Sequence, residues 1–222
     1  MMKNTFLLKW TAANSLGLGV AFVVYLQIPM LAKYGLDFEA YWQWQEQAVE
    51  HGLVSYAGML LALLVAGAIL GASQALVLRS HGLRVFSWIL ATTLGFALLA
   101  AVFWPLMAAE VLGIIPGPVE PITFLVGGGS LAGILQYLAL RRQGIHALPG
   151  IGLWIAGLVA SLVPTALLFM SLEGLGVSIS WPIETFLSGF MVAGVAAWIS
   201  GKALFAAISE RPGPGHGNEG AV

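Results

Sequence analysis

The chain contains no cysteine. This absence excludes disulfide bonds, thiol catalysis and every metal or iron–sulfur site that depends on thiolate ligands. Charge is also scarce, because Asp, Glu, Lys and Arg together make up 9% of the 222 residues and the formal net charge is -1. The few basic residues are spread along the chain and do not form a patch, so we expect no nucleic-acid partner.

Carboxylate side chains are missing from the interiors of the long apolar stretches. Without a carboxylate there, the sequence has no relay for protons or cations across a membrane. The four histidines lie in predicted loops or in the C-terminal tail, away from the depth at which haem or chlorophyll takes an axial imidazole. Since no set of acid, base and nucleophile is present either, we expect no cofactor, no metal site and no enzymatic activity.

Apolar residues are abundant: 59% of the chain is hydrophobic and the mean hydropathy is +0.91. This balance predicts an all-α integral membrane protein. Stretches long enough to cross roughly 30 Å of hydrocarbon occur six times. They lie at about 10–31, 54–78, 85–109, 122–140, 150–171 and 184–207.

The segments outside these stretches differ in character. Residues 36–51 are too polar to span a bilayer yet rich in aromatic side chains, which predicts a helix lying in the outer membrane interface. The tail at 209–222 has almost nothing to bury and is predicted to be disordered. Residues 1–208 therefore form one membrane domain, and the eight Trp and five Tyr fit aromatic belts at its two interfaces.

The basic residues separate by side in a six-span arrangement. Eight of them fall on one side and only Lys33 on the other, which makes that side cytoplasmic and places both termini there. This pattern predicts a multi-pass protein of a bacterial inner membrane.

A motif occurs twice. The stretch from Gly67 to Arg79 reads Gly-Ala-Ile-Leu-Gly-Ala-Ser-Gln-Ala-Leu-Val-Leu-Arg, and Gly129 to Arg141 reads Gly-Ser-Leu-Ala-Gly-Ile-Leu-Gln-Tyr-Leu-Ala-Leu-Arg. The positions shared without a gap are Gly67/Gly129, Gly71/Gly133, Gln74/Gln136 and Arg79/Arg141. On a helix, the two glycines and the glutamine of each copy share one face.

The repeat extends to the preceding helices, where Trp10 and Leu16-Gly17 match Trp88 and Leu94-Gly95. Trp154 begins a weaker third copy, in which Ala197 replaces the glutamine. We therefore predict three parallel two-helix repeats, at about 9–80, 85–142 and 150–207, around a pseudo-rotation axis along the membrane normal.

Small residues spaced four apart are typical of close helix packing in membranes. The glycines predicted to pack in this way are Gly17, Gly67, Gly71, Gly95, Gly129 and Gly133. Room for a bound lipid or pigment is the alternative interpretation of the same small faces.

Two glutamines precede an arginine by five residues, about 7.5 Å along a helix, so they lie in the cytoplasmic part of the bilayer. Gln74 and Gln136 either form inter-helix hydrogen bonds or line a polar cavity open to the cytoplasm.

The outer side carries two further candidate surfaces. Glu110, Glu120 and Glu184 rim the ends of the predicted spans, either as solvated helix ends or as a ring that collects cations. The aromatic residues of the interfacial helix, Tyr41, Trp42 and Trp44, are candidates for a partner surface or for simple anchoring.

The recurring Gly-x-x-Gln-x-Leu-x-Leu-Arg helix end, followed after a short loop by a span that begins near a tryptophan, resembles uncharacterised bacterial multi-pass membrane proteins. The resemblance covers most of the six-span region. It implies a membrane-embedded helical fold but no substrate and no catalytic residue.

Two functions are compatible with the sequence. The first is a non-enzymatic structural or accessory subunit that contacts the lipid bilayer and another integral membrane protein. The second is a transporter or channel with pseudo-threefold two-helix repeats for a small substrate. A polar cavity at the glutamines would favour the second, and a packed interior the first.

Overall fold

The computed structural model describes residues 2–34, 53–111, 129–145 and 181–210, together with scattered positions between 156 and 174. The regular elements in these ranges are all α-helices. They are α1 (Met2–Tyr34), α2 (Leu53–Arg79), α3 (Val85–Val111), α4 (Gly129–Arg141) and α5 (Trp181–Ser209). The described positions between 156 and 174 are helical as well.

Three helices are long and apolar enough to cross a membrane, over Lys3–Tyr25, Leu60–Arg79 and Phe186–Ser209. The described side chains of α3 add a shorter apolar run, Val85–Ala101. Helices of this kind form in hydrocarbon because only an internal hydrogen-bond ladder satisfies every backbone polar group there. For the described residues, the prediction of an all-helical fold with helices of membrane-spanning type is confirmed.

The helices pack side by side in a defined order. Helix α1 lies between α5 and α2, α2 packs on α3, and α3 packs on α4. The segment that contains Gly157 lies against α5, because a methyl group built on Gly157 would be 2.6 Å from the Cα of Ala196.

Buried apolar residues form two clusters along the bundle axis. The first core cluster lies around the middle of α1, α2, α3 and α5 and the start of α4. We define it by Leu18, Ala21, Leu63, Ala66, Leu70, Phe96, Leu99, Ala100, Ala132, Val192, Ala193 and Ala196. The second core cluster joins the start of α1 to the ends of α2 and α5 and to the two short loops, and contains Phe6, Leu7, Trp10, Val77, Leu78, Leu83, Trp88, Leu140, Ile145, Ala197 and Leu204.

Large apolar side chains also cover the outside of the bundle. Leu76 and Phe86 are 75% and 76% exposed, and Leu8 is 69% exposed. Exposed apolar surface on this scale is unfavourable in water and favourable against lipid tails. The exterior is therefore of the kind that a bilayer covers.

Helices α2 and α4 end in the same way. After each, a glycine adopts positive φ, Gly82 at 72° and Gly144 at 75°. The next residue donates its backbone N–H to a carbonyl in the last helical turn, Leu83 to Leu78 and Ile145 to Leu140. This is the Schellman arrangement, in which glycine relieves the steric cost of the left-handed conformation.

Several predictions from the sequence fall outside the described residues. These are the interfacial helix at 36–51, the first part of the predicted span at 122–140, before Gly129, and the tail beyond Glu210. Where boundaries can be compared, α1 begins eight residues before the predicted apolar stretch at 10–31 and continues to Tyr34. Hydropathy marks where the chain is apolar, whereas the hydrogen-bond ladder continues into the flanking polar residues.

Candidate functional site

A layer of polar side chains separates the two core clusters. We define this polar layer as Asn14, Gln74, Thr92 and Gln136, one residue from each of the first four helices. The first three are at most 1% exposed, and Gln136 is half-buried. Buried amides and hydroxyls are costly unless they are hydrogen-bonded, so the connections of this layer determine what it does.

Gln74 is the centre of the layer. Its Nε2 donates to Asn14 Oδ1 at 2.6 Å. Its Oε1 accepts two hydrogen bonds, from the indole Nε1 of Trp88 at 2.8 Å and from Nε2 of Gln136 at 3.0 Å. A single side chain on α2 thus binds α1, α3 and α4, and both lone pairs of its carbonyl oxygen are used.

The second glutamine, Gln136, completes the layer. Besides its bond to Gln74, its Nε2 donates to the hydroxyl of Thr92 at 2.8 Å. Both protons of the Gln136 amide are therefore engaged with neighbouring helices. The structure places the two predicted glutamines in direct contact.

The other two members are fixed by their own helices. Asn14 Nδ2 donates to the carbonyl of Trp10 at 2.8 Å, and the Thr92 hydroxyl donates to the carbonyl of Trp88 at 3.0 Å. Each bond joins residues four positions apart, so the side chain is oriented by the backbone of its own helix. The polar layer is preorganised on rigid helices.

Trp10 and Trp88 lie beside the polar layer, in the second core cluster. Both are 3% exposed, and their rings meet edge to face with centroids 6.0 Å apart. Each ring is enclosed within the bundle and does not lie on its outer surface. While Trp88 donates its indole proton to Gln74, the indole Nε1 of Trp10 has no hydrogen-bond partner within the described ranges.

Four of the predicted packing glycines lie at helix contacts. A methyl group built on Gly95 would overlap the backbone of Ala132, and one on Gly67 would lie 2.9 Å from the Cα of Thr93. A methyl group built on Gly71 would lie 3.1 Å from the Cα of Ile89, and one built on Gly17 would meet the side chains of Ser73 and Leu70.

The remaining two packing glycines are both in α4. Gly133 is buried there, whereas the surroundings of Gly129, at the start of the helix, are not among those described.

The predicted outer rim is only partly visible. Glu184 is exposed in the first turn of α5, and Glu110 belongs to α3. The side chain of Glu110, together with Glu120, Tyr41, Trp42 and Trp44, lies outside the residues that the structure describes. The rim and the aromatic partner surface remain predictions.

Sequence reasoning missed Asn14, Thr92 and the role of Trp88. A signal was present, because a polar residue follows each of the two aligned tryptophans by four positions. In the third copy the equivalent position is Leu158, and Ala197 stands where a glutamine would be. A polar position shared by two copies and lost with its partner in the third indicates a pair that acts together.

Chemically, the polar layer consists of amides, a hydroxyl and an indole. None of these groups changes protonation near neutral pH, so their capacity is hydrogen bonding. Among the described residues, no group of three or more His, Cys, Asp or Glu side chains is placed to hold a metal ion.

Comparison with protein-family models, curated proteins and solved structures finds no match to this chain.

Proposed function

We propose that this chain is a non-enzymatic, multi-pass protein of a bacterial inner membrane that serves as a structural or accessory subunit of a membrane complex. The observation that carries the proposal is the internal bonding of Gln74, whose three hydrogen bonds all go to other helices of the same bundle. A transporter would hold such a side chain available to substrate. Here it stabilises the packing of α1 to α4.

The proposed membrane arrangement has both termini in the cytoplasm. Supporting this, the second core cluster brings together the start of α1, the ends of α2, α4 and α5, and the beginning of α3. The basic residues on these segments therefore lie at one end of the bundle: Lys3, Lys9, Arg79, Arg84, Arg141, Arg142 and Lys202. An even number of spans accounts for this distribution.

We also propose that the bundle is built from three parallel two-helix repeats. Contacts at aligned positions support this. Gln74 binds Asn14 as Gln136 binds Thr92, and Asn14 and Thr92 each stand four positions after an aligned tryptophan. Gly17 packs against Leu70 as Gly95 packs against Ala132. The two Schellman helix ends match as well.

The accessory role predicts a stable assembly. Full-length protein, released gently from its membrane and measured by native mass spectrometry, is expected to carry a second integral membrane protein in fixed stoichiometry. A subunit role follows from a bundle whose polar layer is hydrogen-bonded internally and whose exterior is apolar. A chain that appears only as a lone monomer would contradict the proposal.

The absence of cysteine from the chain makes the competing transporter function easy to distinguish. A Gln74→Cys variant should not react with a membrane-impermeant thiol reagent, because position 74 is buried. Ser80→Cys, in the exposed loop after α2, serves as the matched control and should react from the cytoplasmic side. Labelling at position 74 in folded protein would show an aqueous route to the polar layer and would favour the transporter.

The repeat predicts that a hydrogen bond lacking in its third copy can be introduced by a substitution at position 197. If Ala197 is the counterpart of Gln74, an Ala197→Gln variant should place an acceptor near the indole Nε1 of Trp10, which has no partner among the described residues. Because the larger side chain also crowds a buried site, the test is a double-mutant cycle with Trp10→Phe. We expect a favourable coupling of about 0.6 kcal/mol, the average for hydrogen bonds between membrane helices, and at most about 1.7 kcal/mol.

Ala197→Leu, which adds bulk without an acceptor, is the control for that cycle and should show no coupling to Trp10→Phe. Equal couplings for the glutamine and leucine variants would argue against equivalence of positions 74 and 197.

A further inference from the structure

The loops that follow α2 and α4 are joined by one side chain, Gln143. Its Oε1 accepts the backbone N–H of Arg84 at 2.7 Å, and its Nε2 donates to the Arg84 carbonyl at 3.2 Å. The same Nε2 also donates to the Ala139 carbonyl at 3.3 Å, in the last turn of α4. This two-way contact, which we name the Arg84–Gln143 junction, holds the two loops in a fixed relation.

Three arginines lie within two residues of the junction: Arg84 itself, Arg141 and Arg142. All three are exposed. The carboxylates whose side chains the structure describes are Glu184 and Glu210, and neither pairs with these arginines. Within the described ranges the junction is therefore a concentration of positive charge without a counter-ion.

Exposed apolar side chains lie close in sequence to these arginines. Phe86, two residues after Arg84, is 76% exposed, and Leu138, three residues before Arg141 on the same face of α4, is 43% exposed. Guanidinium groups at the edge of a lipid-facing surface lie at the depth of the phospholipid headgroups. Arginine binds phosphate through two parallel N–H donors, whereas lysine offers only a point charge.

We propose that the Arg84–Gln143 junction binds the phosphate of an anionic phospholipid in the cytoplasmic leaflet. Arg84, Arg141 and Arg142 donate to the headgroup, and Phe86 and Leu138 contact its acyl chains. Gln143 is a positioning residue, since it fixes the spacing of the arginines without contacting the lipid. The inference rests on the proposed membrane placement of the chain.

The test uses the full-length protein in detergent micelles, with phosphatidylglycerol and phosphatidylcholine of identical acyl chains added in turn and bound lipid counted by native mass spectrometry. Wild-type protein should bind phosphatidylglycerol at least about tenfold more tightly than phosphatidylcholine. The combined variant Arg84→Gln, Arg141→Gln, Arg142→Gln should lose this preference, a change of about 10- to 100-fold. Gln143→Ala, which leaves every charge in place, should weaken the preference by a smaller factor.

The matched control removes three charges elsewhere at the same end of the bundle, by Lys3→Gln, Lys9→Gln and Lys202→Gln, and should keep the preference. An equal loss in both triple variants would show diffuse charge attraction and overturn the site. Competition by inorganic phosphate at the lipid concentration would overturn a lipid ligand.

Carbonate extraction of membranes separates failure of the site from failure of the membrane placement. Wild-type chain released into the supernatant would refute the placement itself. A chain that stays in the membrane but shows no headgroup preference would refute only the lipid site.

Discussion

Replacing Gln74 with leucine is expected to destabilise the folded bundle by about 2 kcal/mol, because three hydrogen bonds of about 0.6 kcal/mol each are lost. If each of these bonds has the largest strength measured between membrane helices, about 1.7 kcal/mol, the loss is about 5 kcal/mol. The loss exceeds that of an ordinary polar substitution because the variant leaves buried partners behind. Asn14 loses the donor to its carbonyl, the Trp88 indole loses its acceptor, and Gln136 keeps only Thr92. Unpaired groups of this kind cost more than the bond itself contributed. Equilibrium unfolding in mixed micelles of sodium dodecyl sulfate and a mild detergent, followed by helix content, measures the change.

Gln136→Leu is the natural comparison for that experiment. Gln136 is half-buried and joins two partners instead of three, so its replacement should cost about half as much. The double variant Asn14→Leu, Gln74→Leu should be less destabilised than the sum of its single variants, because the two side chains share a hydrogen bond. Equal effects at positions 74 and 136, with additive behaviour at 14 and 74, would remove Gln74 from the centre of the layer.

The position of the glutamines could be read from the sequence, but their partners could not. A seven-residue spacing between glycine and glutamine fixes which residues share a face of one helix. It does not say which neighbouring helix that face meets, since in lipid no hydrophobic pattern distinguishes the inside of a bundle from its outside. Asn14 and Thr92 stand alone in apolar stretches, and only the packing of α1 and α3 on α2 connects them to Gln74.

The burial of Trp10 and Trp88 could not be predicted from the sequence for a related reason. An indole at the end of a membrane helix is usually interfacial, because its N–H can reach water while its ring stays among lipids. In Trp88 the N–H finds its partner inside the bundle, at Gln74, so the ring can be buried. Among the described residues the aligned Trp10 has no such partner, although it is buried in the same core cluster as Ala197. An aromatic residue that recurs at one position of a repeat is better evidence of packing than of a belt.

The glycine motif shows the same limit. The sequence assigns Gly17 and Gly95 to equivalent positions, yet their surroundings differ in a way that governs substitution. At Gly17 the first obstacle to a methyl group is the hydroxyl of Ser73, which can rotate away. At Gly95 the obstacle is the backbone of Ala132, which cannot. Spacing alone does not reveal whether a small residue faces a side chain or a main chain.

Gly95→Ala is therefore expected to destabilise the bundle by about 1–3 kcal/mol, the usual cost of inserting a methylene into a well-packed interior. The added methyl group would overlap the Cα, N and Cβ of Ala132, so α3 and α4 must move apart along their contact. Gly58→Ala is the matched control, since Gly58 also lies in a helix but has open space where its methyl group would point. Alanine forms helices better than glycine by about 0.8–1 kcal/mol, so the control should be neutral or stabilised. The same glycine-to-alanine change thus has opposite effects at two positions, measured by the unfolding midpoint in the mixed micelles. If both variants are stabilised alike, the close approach of α3 and α4 at Gly95 is not what holds this side of the bundle together.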